Sequence, residues 1–254
     1  MNHFLFFSQY KATLLFIMFV LWNTCSYGDP VVEAVKKDTI SKPKTATNPP
    51  PKFRIGAQIG YGYRLESAPA NSFPSIINHI SKLRHNISFG ADISYYLKNN
   101  FGFGVIYQGI SSKNSSSNIP YPNEDGTFFH DFLSEDIEIH CIGPFLSFRY
   151  FIVPNKQSCF ANIGAGYTRY KNDAVFITDN VRITGNTAVF FTDIGYDFFI
   201  HKYFSIGLQV SMIVGAMRIV NYTSGNITIK EELDITQREN LSHIDFSVAF
   251  RFNK

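Results

Sequence analysis

The sequence predicts an all-β chain whose eight strands close into an antiparallel up-and-down transmembrane β-barrel. Three observations carry that expectation. Eight stretches between Phe53 and Phe252 alternate apolar residues with small or polar ones, the period-two signature of strands with unlike faces. The connections between the stretches alternate strictly between short and long. Beyond the N-terminal segment no apolar run is long enough for a spanning helix. A closed barrel is the other structure that satisfies every backbone hydrogen bond in lipid.

The N-terminus has the pattern of an export signal, expected over residues 1–28: Lys11, a short apolar run from Leu14 to Trp22, then Ser26 and Gly28 before Asp29. That run is shorter than the roughly 20 residues a membrane-spanning helix needs. Trp22, Asn23 and Thr24 fit poorly as the lead-in to a lipidated Cys25. Residues 29–52 mix Lys36, Lys37, Lys42, Lys44 and Lys52 with Pro43, Pro49, Pro50 and Pro51 and show no apolar period, so an extended, mobile leader is expected on the periplasmic side. The barrel is expected over 53–254. The net charge of +3 loses Lys11 with the signal, and such a weak balance implies no nucleic-acid partner.

In the first strand, Phe53 to Leu65, the face of Ile55, Ile59, Tyr61 and Tyr63 opposes one carrying Arg54, Gly56, Gln58, Gly60, Gly62 and Arg64. Arginine in lipid is costly, so the second face is assigned to the lumen. His85 to Leu97 repeats the scheme with Asp92 inward, and Phe101 to Ile110 with Gln108 inward. The fourth strand changes parity, with Ile137 and Ile139 odd but Ile142, Pro144, Leu146, Phe148 and Tyr150 even. A bulge near Cys141 to Gly143 is expected to reconcile them, and it would also suit Pro144, which has no ladder donor. Cys159 to Tyr167, Ala188 to Ile200, Phe204 to Val214 and Ile244 to Phe252 complete the set. Phe (26) and Tyr (14) supply aromatics for the interfacial girdles, while many of the 17 Gly fall inside strands, as lumen positions would.

Three connections are short (98–100, 153–158, 201–203) and four long (66–84, 112–136, 171–186, 221–240), the count eight strands need when both termini lie at one end. Ser111 to Asn118 reads as a mobile loop, and Pro74 to Leu83 as a helical turn or more. Val175, Ile177, Val181 and Ile183, with Ile227, Ile229 and Ile235, suggest hairpins that continue past the bilayer, where an exposed edge can receive a partner's strand.

An eight-stranded lumen is about wide enough for its own side chains. Arg54, Gln58, Arg64, Asp92, Gln108, Arg149, Arg169, Asp193, Asp197, Gln209, Asp245 and Arg251 are expected to line it as a polar network. Opposite charges so confined are expected to pair. A plugged interior follows, with a narrow polar or gated pore as the alternative. The 7 His are scattered without zinc spacing, so no metal is expected. Cys141 and Cys159 are expected as free thiols. Gly60-Tyr61-Gly62 and Gly164-Ala165-Gly166 open no helix and are not nucleotide loops, so no cofactor is expected.

Residues 53–252 resemble the small eight-stranded outer-membrane barrels of OmpA, OmpX and OmpW architecture, and more closely the outer membrane protein beta-barrel domain group common in Bacteroidota. The resemblance rests on Arg54-Ile55-Gly56 through Gly60-Tyr61-Gly62-Tyr63, on Tyr95-Tyr96-Leu97 leading into Phe101-Gly102-Phe103-Gly104, and on the final Val248-Ala249-Phe250-Arg251-Phe252. That ending is similar to the signal for barrel assembly, with Asn253 and Lys254 added beyond the terminal Phe. The resemblance implies outer-membrane lipid as surroundings, the barrel-assembly machinery as a partner in biogenesis, and a surface or periplasmic protein as a further partner. It also implies a non-catalytic structural or surface-interaction role, with a small pore or hydrophobic-solute channel, a lipid-modifying enzyme and a soluble secreted barrel as alternatives. Lipid A deacylases, palmitoyltransferases and omptin proteases share the architecture. The local candidate for chemistry is His243-Ile244-Asp245-Phe246-Ser247, three polar side chains on one strand face, more readily read as lumen lining than as a triad because adjacent same-face residues stand too far apart.

Overall fold

In the computed structural model of the chain, the described residues are 50–69, 72–97, 100–123, 125–235 and 237–254. The expected signal (1–28) and most of the leader lie outside them. The long strands are β1 (Phe53–Arg64), β2 (His85–Tyr96), β3 (Phe101–Pro122), β4 (Phe128–Val153), β5 (Gln157–Phe176), β6 (Asp179–His201) and β7 (Phe204–Val214). Short strands β8 (Ala216–Met217), β9 (Ile219–Ser224), β10 (Ile227–Glu232) and β11 (Glu239–Asn240) precede the last, β12 (His243–Asn253). The one described helix, α1, is Pro74–Leu83.

Each of β1 to β6 pairs antiparallel with its successor, β7 pairs with β12, and β12 returns to β1 from Arg54↔Asn253 to Arg64↔His243. The result is a closed ring of eight antiparallel strands, the expected up-and-down barrel, in which these eight leave no open edge.

Parity along each strand separates lipid-like surface from lumen. Ile59 (65%), Leu208 (58%) and Phe190 (72%) stand exposed outside, while Arg54, Arg64 and Asp193 are fully buried inside. Burying arginine and exposing leucine inverts the soluble arrangement. The outward face is apolar or uncharged from the terminal end up to His85, His140 and Arg169. At that level Tyr61 pairs with His85, and the Tyr107 hydroxyl lies 2.8 Å from His140 Nδ1, a rim of aromatic side chains with polar tips of the kind that marks a membrane interface. In β1 the band runs from Phe53 to Tyr63, which matches the roughly 9–11 residues a tilted strand needs to cross a bilayer.

β3, β4, β5 and β6, at 22, 26, 20 and 23 residues, continue well past that band. Ser111 to Asn118 therefore lies within β3 rather than in a loop, paired to β4 with a register shift between Ser116 and Ile119. β9 extends this sheet along β6, from Val181↔Ser224 to Gly185↔Val220, and β10 forms its edge. The β9–β10 turn needs Gly225, at φ +57°, where a side chain would be strained.

β4 contains no bulge at Cys141 to Gly143. Its register to β3 is unbroken there, and the ladder to β5 resumes unshifted at Phe145↔Gly164 after Ile142↔Tyr167. The absence of an N–H on Pro144 is met by leaving two residues out of the β5 ladder, not by inserting one. Ile137 and Ile139 keep inward parity and are buried with Leu83, Ile110, Met217 and Leu241 in an apolar layer across the loop end of the lumen. A second layer, Ile106, Cys141, Phe145, Val189, Phe191 and Ile213, lies below. α1 begins at Pro74, which tolerates a first-turn position because the N–H it lacks would be unpaired there. It lies against β3 and turns His79 and Leu83 inward.

Candidate functional site

The terminal half of the lumen is built where β1, β2, β6 and β12 bring their inward positions to one level. Arg54 Nη2 donates to Asp92 Oδ2 at 3.1 Å, and its Nη1 lies 4.0 Å from Asp197 Oδ2. Arg251 donates to Asp197 through Nη1 and to the Gln209 carbonyl through Nη2. Between the two arginines lies the Phe160 ring, 4.4 Å from the guanidinium carbon of Arg54 and 4.6 Å from that of Arg251. Glycine makes the room: a Cβ on Gly56 would strike the Asp92 carboxylate, and one on Gly207 would strike both Arg251 and Asp197. Two cations and two anions balance, the condition under which charges this deeply buried are tolerated. Arg149 closes the terminal mouth, stacked 3.7 Å over the Tyr96 ring and donating to the Pro51 carbonyl at 2.6 Å. This contact ties Pro51, just ahead of β1, to the barrel.

The other expected lumen residues separate into smaller groups. Asp193 accepts from Asn162 at 3.3 Å. The Gln58 carbonyl and the Gln108 amide face the middle of the lumen without hydrogen-bond partners among the described residues. Asp245 lies 3.5 Å from His243 Nε2, whose ring donates through Nδ1 to the Leu241 carbonyl at 2.8 Å. Ser247 Oγ has no partner among the described residues. This set is buried, running down β12 from the level of Ile213 to that of Gln209, and its described contacts contain no hydrogen-bonded nucleophile, base and orienter. Arg64 sits at the loop-end mouth. Arg169 does not face the lumen: it is exposed and shares its parity with Ile163 and Tyr167, so it ends the outward apolar band opposite His140. Cys141 is buried and free, and Cys159 is partly exposed and free.

Above the apolar plug lies a cavity of about 210 Å³, to which sequence reasoning assigned no residue. Arg64 Nη2, fully buried, bridges Glu66 at 2.9 Å and Glu239 at 2.8 Å. His79 accepts from Asn114 at Nδ1 (3.0 Å) and donates from Nε2 to Glu135 (3.0 Å), which also accepts from Asn172 at 2.6 Å. Leu83, Ile137, Met217 and Val220 form apolar wall. Burial pushes Glu66 up to about 7, Arg64 and Arg84 only partly offsetting that burial and the repulsion of Glu239 and Glu135. Burial also works against ionised Glu135, but the hydrogen bonds from His79 and Asn172 outweigh it and hold its carboxyl below the usual range.

The folded chain keeps the Glu66 proton over a pH interval in which the unfolded chain has lost it. This group's contribution to stability therefore falls as pH rises from 4.5 through about 7, by at most about 3 kcal/mol. Amide exchange at β11 and the 65–69 segment, corrected for intrinsic rates, is expected to be faster at pH 8 than at pH 5, with Glu66→Gln removing most of the difference. An equal pH effect in Glu66→Gln would place its cause elsewhere.

No family model matches the chain, and no curated protein sequence matches it. Solved structures do match. A major outer membrane protein from Thermus thermophilus superposes with a TM-score of 0.55 at 7% identity, over 80% of this chain and 98% of that one. Neisserial surface protein A gives 0.49 at 9% identity over 80% and 97%, and OprG from Pseudomonas aeruginosa 0.46 at 8% over 81% and 98%. Identities this low speak to fold alone. Together with the closed ring and its inverted faces, the likeness to the Thermus protein shows that this chain has the fold of the small outer-membrane β-barrels.

Proposed function

We propose that the chain is an integral outer-membrane barrel without catalytic activity, acting as a structural or surface-interaction protein. The terminal end and leader face the periplasm, and the β3–β6 extension faces outward. The observation that carries this reading is the filled lumen: a neutral Arg54–Asp92–Asp197–Arg251 cluster and two apolar layers stack along the axis. A water-filled pore requires a continuous polar path, and an apolar layer across the lumen interrupts one. Outer-membrane lipid surrounds the apolar band, and the barrel-assembly machinery inserts the strands.

On a cold detergent gel, protein from isolated outer membranes is expected to migrate differently before and after boiling. The same material in planar bilayers is expected to give no steady single-channel conductance. Recovery as soluble protein without a mobility shift would sink the membrane reading, whereas a shift with reproducible conductance would replace the closed barrel by the pore.

A further inference from the structure

The loop-end cavity has a chemistry that neither the plug nor the lipid surface requires. Three carboxylates, Glu66, Glu135 and Glu239, line it, and two of them converge on the single guanidinium of Arg64. The other nearby arginine, Arg84, spends its Nε on the Glu66 backbone carbonyl. His79 meets Ser116 and Asn114 at Nδ1 and Glu135 at Nε2, and the three carboxylates outnumber the two guanidiniums of Arg64 and Arg84.

One buried oxygen in the lining is also unmatched. Asn172 is 2% exposed; its Nδ2 is used on Glu135, while Oδ1 has no partner among the described residues. A buried acceptor without a donor costs roughly 1–3 kcal/mol, so Asn172 Oδ1 is open to a donor that the described residues do not supply, while Arg64, which holds Glu66 and Glu239, keeps its own Nε and Nη1 unpaired among them. The carboxylates remain within reach of solvent, with side chains 24%, 19% and 26% exposed for Glu66, Glu135 and Glu239.

We propose that this cavity binds a small organic ammonium. The charged head would donate to Asn172 Oδ1 and to the carboxylates, and an apolar body would lie on the Ile137 and Met217 side. An ammonium supplies three donors and a positive charge, which suit Asn172 Oδ1 and the carboxylates beside it. A metal ion fits poorly: among the described residues no three His, Cys, Asp or Glu are placed to share one, and about 210 Å³ of partly apolar space suits a hydrocarbon body better than a hydration shell. That volume lies below the roughly 300–1,000 Å³ of drug-sized sites, which limits the ligand to a short alkyl or single-ring amine. The site stands whether or not the lumen conducts.

The test is calorimetric titration of detergent-solubilised full-length protein that shows the folded gel band, with phenethylamine as probe and phenethyl alcohol as its uncharged match. Phenethylamine is expected to bind at least about tenfold more tightly than the alcohol, and Glu239→Gln is expected to weaken it by about fivefold or more while leaving the alcohol unchanged. Ile183→Trp, which fills the cavity from the β6 extension, is expected to abolish binding and serves if Glu239→Gln does not fold. Equal binding of amine and alcohol, no amine binding up to about 10 mM, or binding unaffected by the variant that folds would overturn the proposal. Failure of the barrel itself would appear separately, as loss of the folded band.

Discussion

Asp197→Asn is expected to lower the stability of the barrel by roughly 3–5 kcal/mol, the usual cost of removing one partner from a buried ion pair. Asp197 is 1% exposed and is the only carboxylate in contact with both Arg251 and Arg54 among the described residues. Asparagine keeps the shape and one acceptor but removes the charge, leaving two guanidiniums against Asp92 alone beside the Phe160 ring. Repacking cannot relieve this easily, because Gly207 opposite has no side chain to move and no room for one against either group. Asp193 supplies the contrast. It is equally buried but is held by Asn162 and makes no salt bridge among the described residues, feeling Arg54 only at longer range, so Asp193→Asn leaves no buried guanidinium without its direct partner and is expected to be near neutral or stabilising. Urea titration of both variants, followed by the folded and unfolded gel bands, measures the difference. Equal midpoints would mean that the ion cluster is not what holds the terminal half of the lumen.

That cluster was largely legible in the sequence, because period two assigns faces without any knowledge of three-dimensional neighbours. Arg54, Asp92, Asp197 and Arg251 stand opposite Ile55, Ile93, Phe198 and Phe250, and lipid cannot easily take the charged side. The same rule, applied consistently, places Arg169 outside with Ile163 and Tyr167. Parity fails where both faces are apolar. Ile137 and Ile139 plug the lumen while Ile142 and Leu146 face outward, so an unbroken strand imitates a bulge. The Ser-rich run in β3 shows the converse, since pairing to β4 and cover from α1 make strand of a composition that reads as loop. The ammonium cavity was not legible at all. Arg64 and Glu239 are 175 residues apart, and Glu135 and His79 come from two further elements. Only closure of the barrel brings them together, and no local period or motif spacing records that.

A charge placed on the outward face separates the membrane barrel from a soluble one more sharply than any change inside it. Leu208 lies near the middle of β7, flanked by Tyr196 and Val248 on the neighbouring strands, and is 58% exposed. For a soluble protein Leu208→Arg would be an ordinary surface substitution, worth within about 0.5 kcal/mol. With lipid against that face, the guanidinium must be held near the bilayer midplane, at a cost of about 2–4 kcal/mol. Ile219→Arg makes the same chemical change on a 38% exposed residue of β9, in the extension beyond the apolar band, and is expected to cost less than about 1 kcal/mol. Refolding both variants into lipid vesicles across a urea series gives the comparison directly. A large loss for Leu208→Arg beside a small one for Ile219→Arg fixes the depth of the band along β7. Two equally small losses would mean that water, not lipid, covers the outside of this barrel, and the arginines within it would then need an explanation that excludes the membrane.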